Sequence, residues 1–364
     1  MTNVEHAPSA GGRPSCACQT ASCQATVQAP LAMPVRTLSS RLTWRDRLGT
    51  LRARLGHGRM NYRVRPGLYT LGRPTPDAPV LVSANYKLSV DHLRAALQGL
   101  DAWILVLDTH GINVWCAAGK GLFSTDEVVR QVAATALSSR VSHRKLVLPQ
   151  LAAPGVAAHE VRTRTGFRVV YGPVRAVDIP AFLAARMTAT PAMRQVRYGW
   201  RDRAVLIPVE VVTGAKYPIL AAAALMLLGA VVPAGRSLDN AGAAAALTTG
   251  AFLAGTVLGP LLLPWLPGRA FSVKGAVLGL AVAVVLALVG WPAAAFDASW
   301  PQATAWAVLM TAFTSFVLMN FTGSTTFTSL SGVLREMRFA VPLQVAAAIG
   351  GIGLWVIALY WATV

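Results

Sequence analysis

Charge is what this sequence has least of. Asp, Glu, Lys and Arg make up 13% of its 364 residues, against about 25% in an ordinary soluble domain. With 54% hydrophobic residues, that shortfall excludes a single water-soluble domain and excludes intrinsic disorder for most of the chain. Acidic residues are scarcer still, 15 against 33 basic. The basic residues are scattered and no aromatic platform is interleaved with them, so no nucleic-acid partner is expected. A basic face beside anionic membrane lipid is the plainer reading. Cysteine is also sparse: Cys16, Cys18, Cys23 and Cys116. No apolar run occupies residues 1–30, so no secretory signal is read there, and the soluble part is expected in the cytoplasm. Disulfides are rare in that compartment. The thiols therefore read as free, metal-ligating or reactive.

What is abundant is unevenly placed. Five basic and three acidic residues lie after Lys216, leaving 28 and 12 in residues 1–216, a formal +16 on the first part. Residues 1–40, rich in Ala, Ser, Thr, Pro and Gln, read as a flexible tail with a cysteine cluster. Residues 41–77 read as a basic linker or helical segment. Within it 41–60 is expected to form a short helix, either amphipathic on a membrane surface or packed on the domain. From 78 to 205 short apolar strands alternate with helices. Strands are expected at 78–86, 103–108, 145–149 and 167–173. A capping box, Ser124 with Glu127, opens a helix between the second and third. This is the pattern of an α/β, Rossmann-like domain with a mostly parallel sheet. Ligands on such sheets bind at the strand carboxyl ends. That rim takes in Ser83–Tyr86, Asp108–Lys120, Pro149–Gly155 and Gly172–Ala176.

Residues 206–216 read as a linker into an all-α transmembrane domain, 217–364. Five apolar stretches, at 217–234, 242–264, 274–292, 302–321 and 340–362, each approach the length that spans a bilayer. Lys216, Arg269, Lys274, Arg335 and Arg338 fall on one side of them and Arg236 on the other. The bias predicts a multi-pass protein of the cytoplasmic membrane with N-terminus inside and C-terminus outside. The hydroxyl-rich run 322–332 reads as an inner loop, or as a re-entrant or docking segment.

The chemistry-bearing stretch is DTHGINVWCAAGKG, residues 108–121. It is not a P-loop: Val114 stands where the first glycine belongs and Gly121 where Ser or Thr belongs. Residues 119–124 lack the third glycine of a dinucleotide fingerprint. Asp108, Thr109 and His110 begin the D-x-H-x-x-G loop that places a histidine under cobalt in one cobalamin-binding mode, but Asn113 replaces its glycine. In a second mode the ligand is Cys116 itself, with Trp115 before it and Ala117, Ala118 and Gly119 after it as a small-residue surface for a flat macrocycle. Taken alone, Cys116 also reads as a small core residue.

The run N-V-W-C-A-A-G-K, residues 113–120, resembles the cap-helix signature of the mercury-methylating corrinoid proteins (the HgcA family). RPGLY (65–69), VLVSANYKLS (80–89), PQLAAPGVAAH (149–159), GFRVVYGPVRA (166–176) and the five-span tail resemble it too. That family's corrinoid domain is in turn similar to the one in the corrinoid iron–sulfur protein of the acetyl-CoA pathway. The resemblance implies a cobamide (cobalamin-type) cofactor, base-off, with Cys116 as lower axial cobalt ligand. It implies a methyl group taken from a methyltetrahydrofolate-dependent methyl donor enzyme and passed to Hg(II) as a carbanion equivalent, giving methylmercury. It also implies a partner ferredoxin with two four-iron clusters that reduces the cobalt and delivers Hg(II).

Within that reading, Trp115, Ala117 and Ala118 would shield the lower cobalt face, and Val114 and Gly119 complete the cap helix. Asn113 orients the loop or is a helix N-cap. Lys120 reaches a cobamide amide or the thiolate, or is a solvated lysine. Ser83, Gln150, Gly155, Gly172 and Ala176 contact the corrin or its nucleotide tail, or are turn residues. Two features depart from the family. His110 stands where lysine is expected. Cys16, Cys18 and Cys23 are either an Hg(II)-capturing cluster or incidental. Their spacing fits no iron–sulfur cluster, so none is expected in this chain. Two other functions compete: a membrane-tethered corrinoid methyl carrier with another acceptor, and a transporter or sensor with a cytoplasmic ligand domain. Span interiors without charged residues argue against an ion-coupled transporter.

Overall fold

A computed structural model of the chain describes residues 33–230, 237–296, 300–324 and 330–361. The three tail cysteines and residues 325–329 of the hydroxyl-rich run lie outside them. The soluble part is built on a six-stranded sheet in the order β1-β2-β4-β3-β5-β6. Its strands are β1 (Arg36–Leu38), β2 (Gly67–Leu71), β3 (Val80–Ala84), β4 (Ala102–Leu107), β5 (Lys145–Leu148) and β6 (Arg168–Tyr171). Only the β2–β4 pair is antiparallel; the other pairs run parallel.

Side-chain alternation explains why both faces are covered. Leu68, Val82, Leu105, Leu107, Leu146 and Leu148 point to one face. There they meet Val128 and Val132 of α4 (Thr125–Ala134) and Val161 of α5 (Ala158–Thr165). Tyr69, Leu71, Leu81, Ile104, Val106 and Val147 point to the other. They meet Val90, Leu93 and Leu97 of and beside α2 (Lys87–Ala96), and Phe182 of α6 (Ile179–Ala184). Period-two burial on both sides is what a helix-covered parallel sheet requires.

The segment 41–77 is more than a linker. Gly67–Leu71 is a strand paired antiparallel to β4 along its whole length, and Arg36–Leu38 pairs beside it. Its residues alternate between the two cores, a tertiary relation that a five-residue run does not announce. Between those strands α1 (Trp44–Arg54) does form, opened by a reciprocal Thr43–Asp46 capping box. The Ser124 box is only half made. Ser124 Oγ accepts from the Glu127 N–H at 3.3 Å, but the Glu127 carboxylate turns away to the Asp108 N–H at 2.7 Å.

After residue 205 the described residues are mostly helical. Four helices are long and apolar enough to cross a membrane: Leu238–Leu262, Phe271–Val289, Trp300–Asn320 and Gly332–Tyr360. A fifth span requires that Trp200–Gly214 and Lys216–Leu228, bent by 45°, count as one. The expected linker 206–216 is thus largely helical, and the expected first span is the shorter arm of that bent pair. The last long helix starts at Leu330, not near 340, so Arg335, Glu336 and Arg338 are helical rather than in a loop. Lys274 is helical too, its ammonium donating to the carbonyls of Leu263 (2.9 Å) and Leu266. Gly275 and Gly279 allow the Phe271–Val289 and Trp300–Asn320 helices to touch. A Cβ at either would stand 2.7–2.8 Å from the Ser315 Cα or the Met310 carbonyl, as in small-xxx-small membrane packing.

Candidate functional site

The strands β3 and β5 carry the site because the chain reverses direction across the sheet there. From β3 the next strand lies on one side (β4), and the one after lies on the other (β5). The β3–β5 register runs through the single pair Leu81↔Val147. A crevice opens where strand order switches, at the carboxyl ends. It is a cleft of about 330 Å³ lined by Ser83, Leu148 and Gly172 at the strand ends, Ser89 and His92 of α2, and Asn113, Val114 and Trp115. Ala176 and Ile179 close it on the α6 side.

The last three lining residues of that first set begin the short helix α3 (Val114–Gly119), which caps the cleft. Asn113 is its N-cap: the Oδ1 accepts from the Cys116 N–H at 2.9 Å. Cys116 is exposed with a free thiol, and Trp115 is 41% exposed. Ala117 and Ala118 are not the exposed surface expected of them. They are 0% and 5% exposed and belong to the core under the helix. Helical geometry requires this, since a six-residue helix needs one buried face to stay docked.

The other expected site residues divide. Ser83, Gly172 and Ala176 line the cleft with Asn113, Val114 and Trp115. The cleft wall does not include Cys116, Gly119, Lys120, Gln150 or Gly155. Gly119 and Lys120 are exposed at the helix end. Gln150 Oε1 accepts from Arg194 at 3.1 Å. Gly155 supports α3 from below: a Cβ there would run into the Phe123 carbonyl and stand 3.1 Å from the Ala118 Cα.

The loop before α3 is fixed by Asn85, which sequence reasoning placed on the rim without a role. Its Oδ1 accepts from the Thr109 N–H (3.1 Å), the Thr109 hydroxyl (2.9 Å) and the Gly111 N–H (2.9 Å). Its Nδ2 donates to Asp108 at 3.0 Å. The loop can turn this tightly because His110 and Gly111 adopt φ of 55° and 79°. A Cβ at Gly111 would also stand 2.8 Å from the Met60 carbonyl. His110 is exposed, and its side chain does not line the cleft. His92 was also missed; a lone histidine on a helix carries no signal of a cleft wall. Burial, then the positive charge of Arg54, hold its imidazole below the usual histidine range, so it is neutral at pH 7.

The comparisons with known proteins fall on this domain. A family model described as "CO dehydrogenase/acetyl-CoA synthase delta subunit" matches residues 40–183. The acetyl-CoA decarbonylase/synthase complex subunit gamma of Methanopyrus kandleri is 34% identical over 122 residues, 33% of this chain and 26% of that protein. The same subunit of Archaeoglobus fulgidus is 33% identical over 123 residues, with the same shares, and that of Methanocaldococcus jannaschii 29% over 122. The chain spans about a quarter of the length of these relatives. The α/β domain of this protein is therefore related to subunits of the CO dehydrogenase/acetyl-CoA synthase complex, and the family match ends before the apolar helices begin.

Proposed function

We propose that this chain is a membrane-anchored corrinoid methyltransferase acting on Hg(II), with Cys116 as the lower axial ligand of a base-off cobamide. The observation that carries the reading is the placement of Cys116. It is an exposed free thiol, on a helix locked by Asn113, beside the mouth of a cleft at the strand-order switch. The residues present fit the cofactor's chemistry. A thiolate is a soft, strongly donating ligand suited to a polarizable metal centre, and Val114, Trp115, Leu148 and Ile179 give the cleft apolar walls.

When bound, a cobamide would supply cobalt-centred methyl chemistry for making methylmercury from the substrate Hg(II), and Cys116 would hold its cobalt. The chain's own residues do the rest. Asn113 fixes the helix turn that presents the Cys116 sulfur. Trp115 excludes water beside it. Ala117, Ala118 and Gly155 hold the helix down from beneath, and Lys120 balances charge at its end. Ser83, Gly172 and Ala176 receive the cofactor's nucleotide tail in the cleft. Gln150, tied to Arg194, borders the tail's path. Cys16, Cys18 and Cys23 capture Hg(II) for delivery. The partners are a ferredoxin with two four-iron clusters and a methyltetrahydrofolate-dependent methyl donor enzyme. With the bent pair counted as one span, five spans whose inner ends carry Arg269, Lys274, Arg335 and Arg338 put the C-terminus outside the cytoplasmic membrane.

The relatives favour a second reading. Because they are named for an acetyl-CoA decarbonylase/synthase complex, a membrane-tethered methyl carrier serving another acceptor is the rival. The first test is the anaerobic ultraviolet–visible spectrum of the cobalamin-loaded full chain, wild type beside Cys116→Ala and His110→Ala. The expected outcome is a base-off, sulfur-ligated spectrum that only Cys116→Ala abolishes. Absence of bound corrinoid sinks both readings. A change confined to His110→Ala sinks the thiolate ligand. Methyl transfer to Hg(II), assayed with that same protein, then separates the two acceptors.

A further inference from the structure

Helix α1 carries four arginines and three large apolar side chains that remain exposed. At 100° per residue, Trp44, Leu48 and Leu51 fall within about 60° of one another around the helix. They are 69%, 45% and 52% exposed. The opposite face is the docked one. There Ala53 is buried, Gly49 lies against the Tyr62 ring, and Asp46 pairs with Lys87 and Arg94. Arg47 and Arg54 flank the apolar stripe on one side, Arg45 and Arg52 on the other. Among the described residues no carboxylate pairs with any of the four.

Arg47 and Arg54 also face a cavity of about 330 Å³ between α1 and α2, shared with Leu42, Thr50, Leu88 and His92. Its one acidic wall residue, Asp91, is already held by Lys87 and Arg94 at 2.7–2.9 Å. The Arg54 Nε is buried without a hydrogen-bond partner, a loss that an anionic acceptor would relieve. The end of α1 lies next to the route into the apolar helices. A Cβ at Gly56 would stand 3.4 Å from Thr213 and 3.8 Å from Val209 of the helix Ile207–Gly214, one arm of the bent pair.

We propose that α1 is an interfacial helix seated on anionic phospholipid. Trp44, Leu48 and Leu51 enter the boundary between headgroups and acyl chains, and one lipid phosphate lies on Arg47 and Arg54 in the cavity between α1 and α2. An apolar stripe with arginines on both flanks is the arrangement that lies in the plane of a bilayer surface. The guanidinium fork matches phosphate oxygens, and each basic residue near an anionic leaflet adds attraction. Such seating lays the α/β domain on the membrane. His92 lines both this cavity and the cleft beneath α3, so the docked face and the proposed cofactor site are neighbours. The inference rests on the membrane spans and stands apart from methyl transfer.

The test is nitroxide depth measurement on the full chain, reconstituted in phosphatidylcholine vesicles with or without phosphatidylglycerol. Cys16, Cys18, Cys23 and Cys116 are first replaced by Ser, and single labels are placed by Leu48→Cys, Leu51→Cys and, as a solvent control on α5, Glu160→Cys. The expected result is a ratio of oxygen to aqueous nickel-chelate relaxation several-fold above the control at 48 and 51 when phosphatidylglycerol is present. Arg47→Gln with Arg54→Gln, read through the same labels, should return the ratio toward the control. A ratio equal to the control in both lipids overturns the proposal. So does shielding from oxygen and nickel alike, which would assign the stripe to a protein partner. Indifference to both phosphatidylglycerol and the arginine pair overturns the phosphate site.

Discussion

The Cys116 sulfur is accessible because two alanines follow it. Ala117 and Ala118 occupy the buried face of α3, so the helix presents Trp115 and Cys116 outward. The Asn113 cap then fixes the first turn, since its side chain holds the Cys116 N–H itself. Asn113→Ala is expected to cost about 1 kcal/mol. It should lower the melting temperature by a few degrees and weaken cobalamin binding, and Asn113→Asp should restore both; a titration followed by absorbance checks this. Asn85 matters more. Asn85→Leu strands two buried backbone N–H groups of the 108–112 loop, those of Thr109 and Gly111, while the Thr109 hydroxyl keeps the Ile112 carbonyl at 2.7 Å. At about 1–3 kcal/mol for each unsatisfied buried group, only partly additive, a loss of roughly 2–4 kcal/mol is expected in thermal unfolding, with cobalamin binding abolished. Cys116, Trp115 and Asn113 were legible as residue types in a pattern. Asn85 was not, because its meaning comes from a loop 24 residues later in the chain.

At the scale of elements, two close approaches set the geometry. Gly155 lets the β5–α5 loop pass beneath α3. Gly155→Ala forces α3 or the Phe123 turn to move, and overpacking of this kind costs about 1–3 kcal/mol. Its expected signature is weaker cobalamin binding with helix content unchanged, read by titration and circular dichroism. Gly279 does the same service between the Phe271–Val289 and Trp300–Asn320 helices, where a Cβ would meet Met310 and Thr311. Gly279→Leu should separate them and lower the melting temperature in detergent while leaving the cobalamin binding proposed for the α/β domain unchanged. Strands β3 to β6 and their helices were legible because apolar runs of four to six residues repeat with turns between. Strands β1 and β2 were not. Their alternation is brief, and each pairs with a strand about 30 residues or more further along the chain, β1 with β2 and β2 with β4.

At the scale of the whole molecule, α1 is fastened to the domain by charge. Burial alone would raise the Asp46 carboxyl, but hydrogen bonds from Lys87, the Thr43 N–H and Arg94 outweigh it and hold the group well below the usual carboxylate range. A depressed carboxylate stabilises the fold above its unfolded value of 3.8, and that stabilisation is lost as pH falls through the folded value. His92 acts in the same sense: its lowered pKa means the unfolded chain takes up a proton first as pH drops below 6.5. Stability is therefore expected to decline from about pH 6.5 downward and again below pH 4. Asp46→Asn should remove the lower phase, at a cost near neutral pH of about 1–3 kcal/mol, measured by thermal melts across pH.

The sequence by itself determined the kind of each half, α/β and then apolar helices, and named the chemical suspects. Composition and periodicity act locally: apolar stretches long enough for a bilayer, short strands between turns, and a lone cysteine among small residues can each be read without a partner. Only the tertiary structure decided what those residues meet. It turned the alanines of α3 inward, put Cys116 beside rather than within the cleft wall, joined β2 to β4, and bent the first apolar helix from the one before it. Each outcome depends on contacts between segments distant in sequence, where close packing and paired hydrogen bonds choose among placements that local pattern leaves equal.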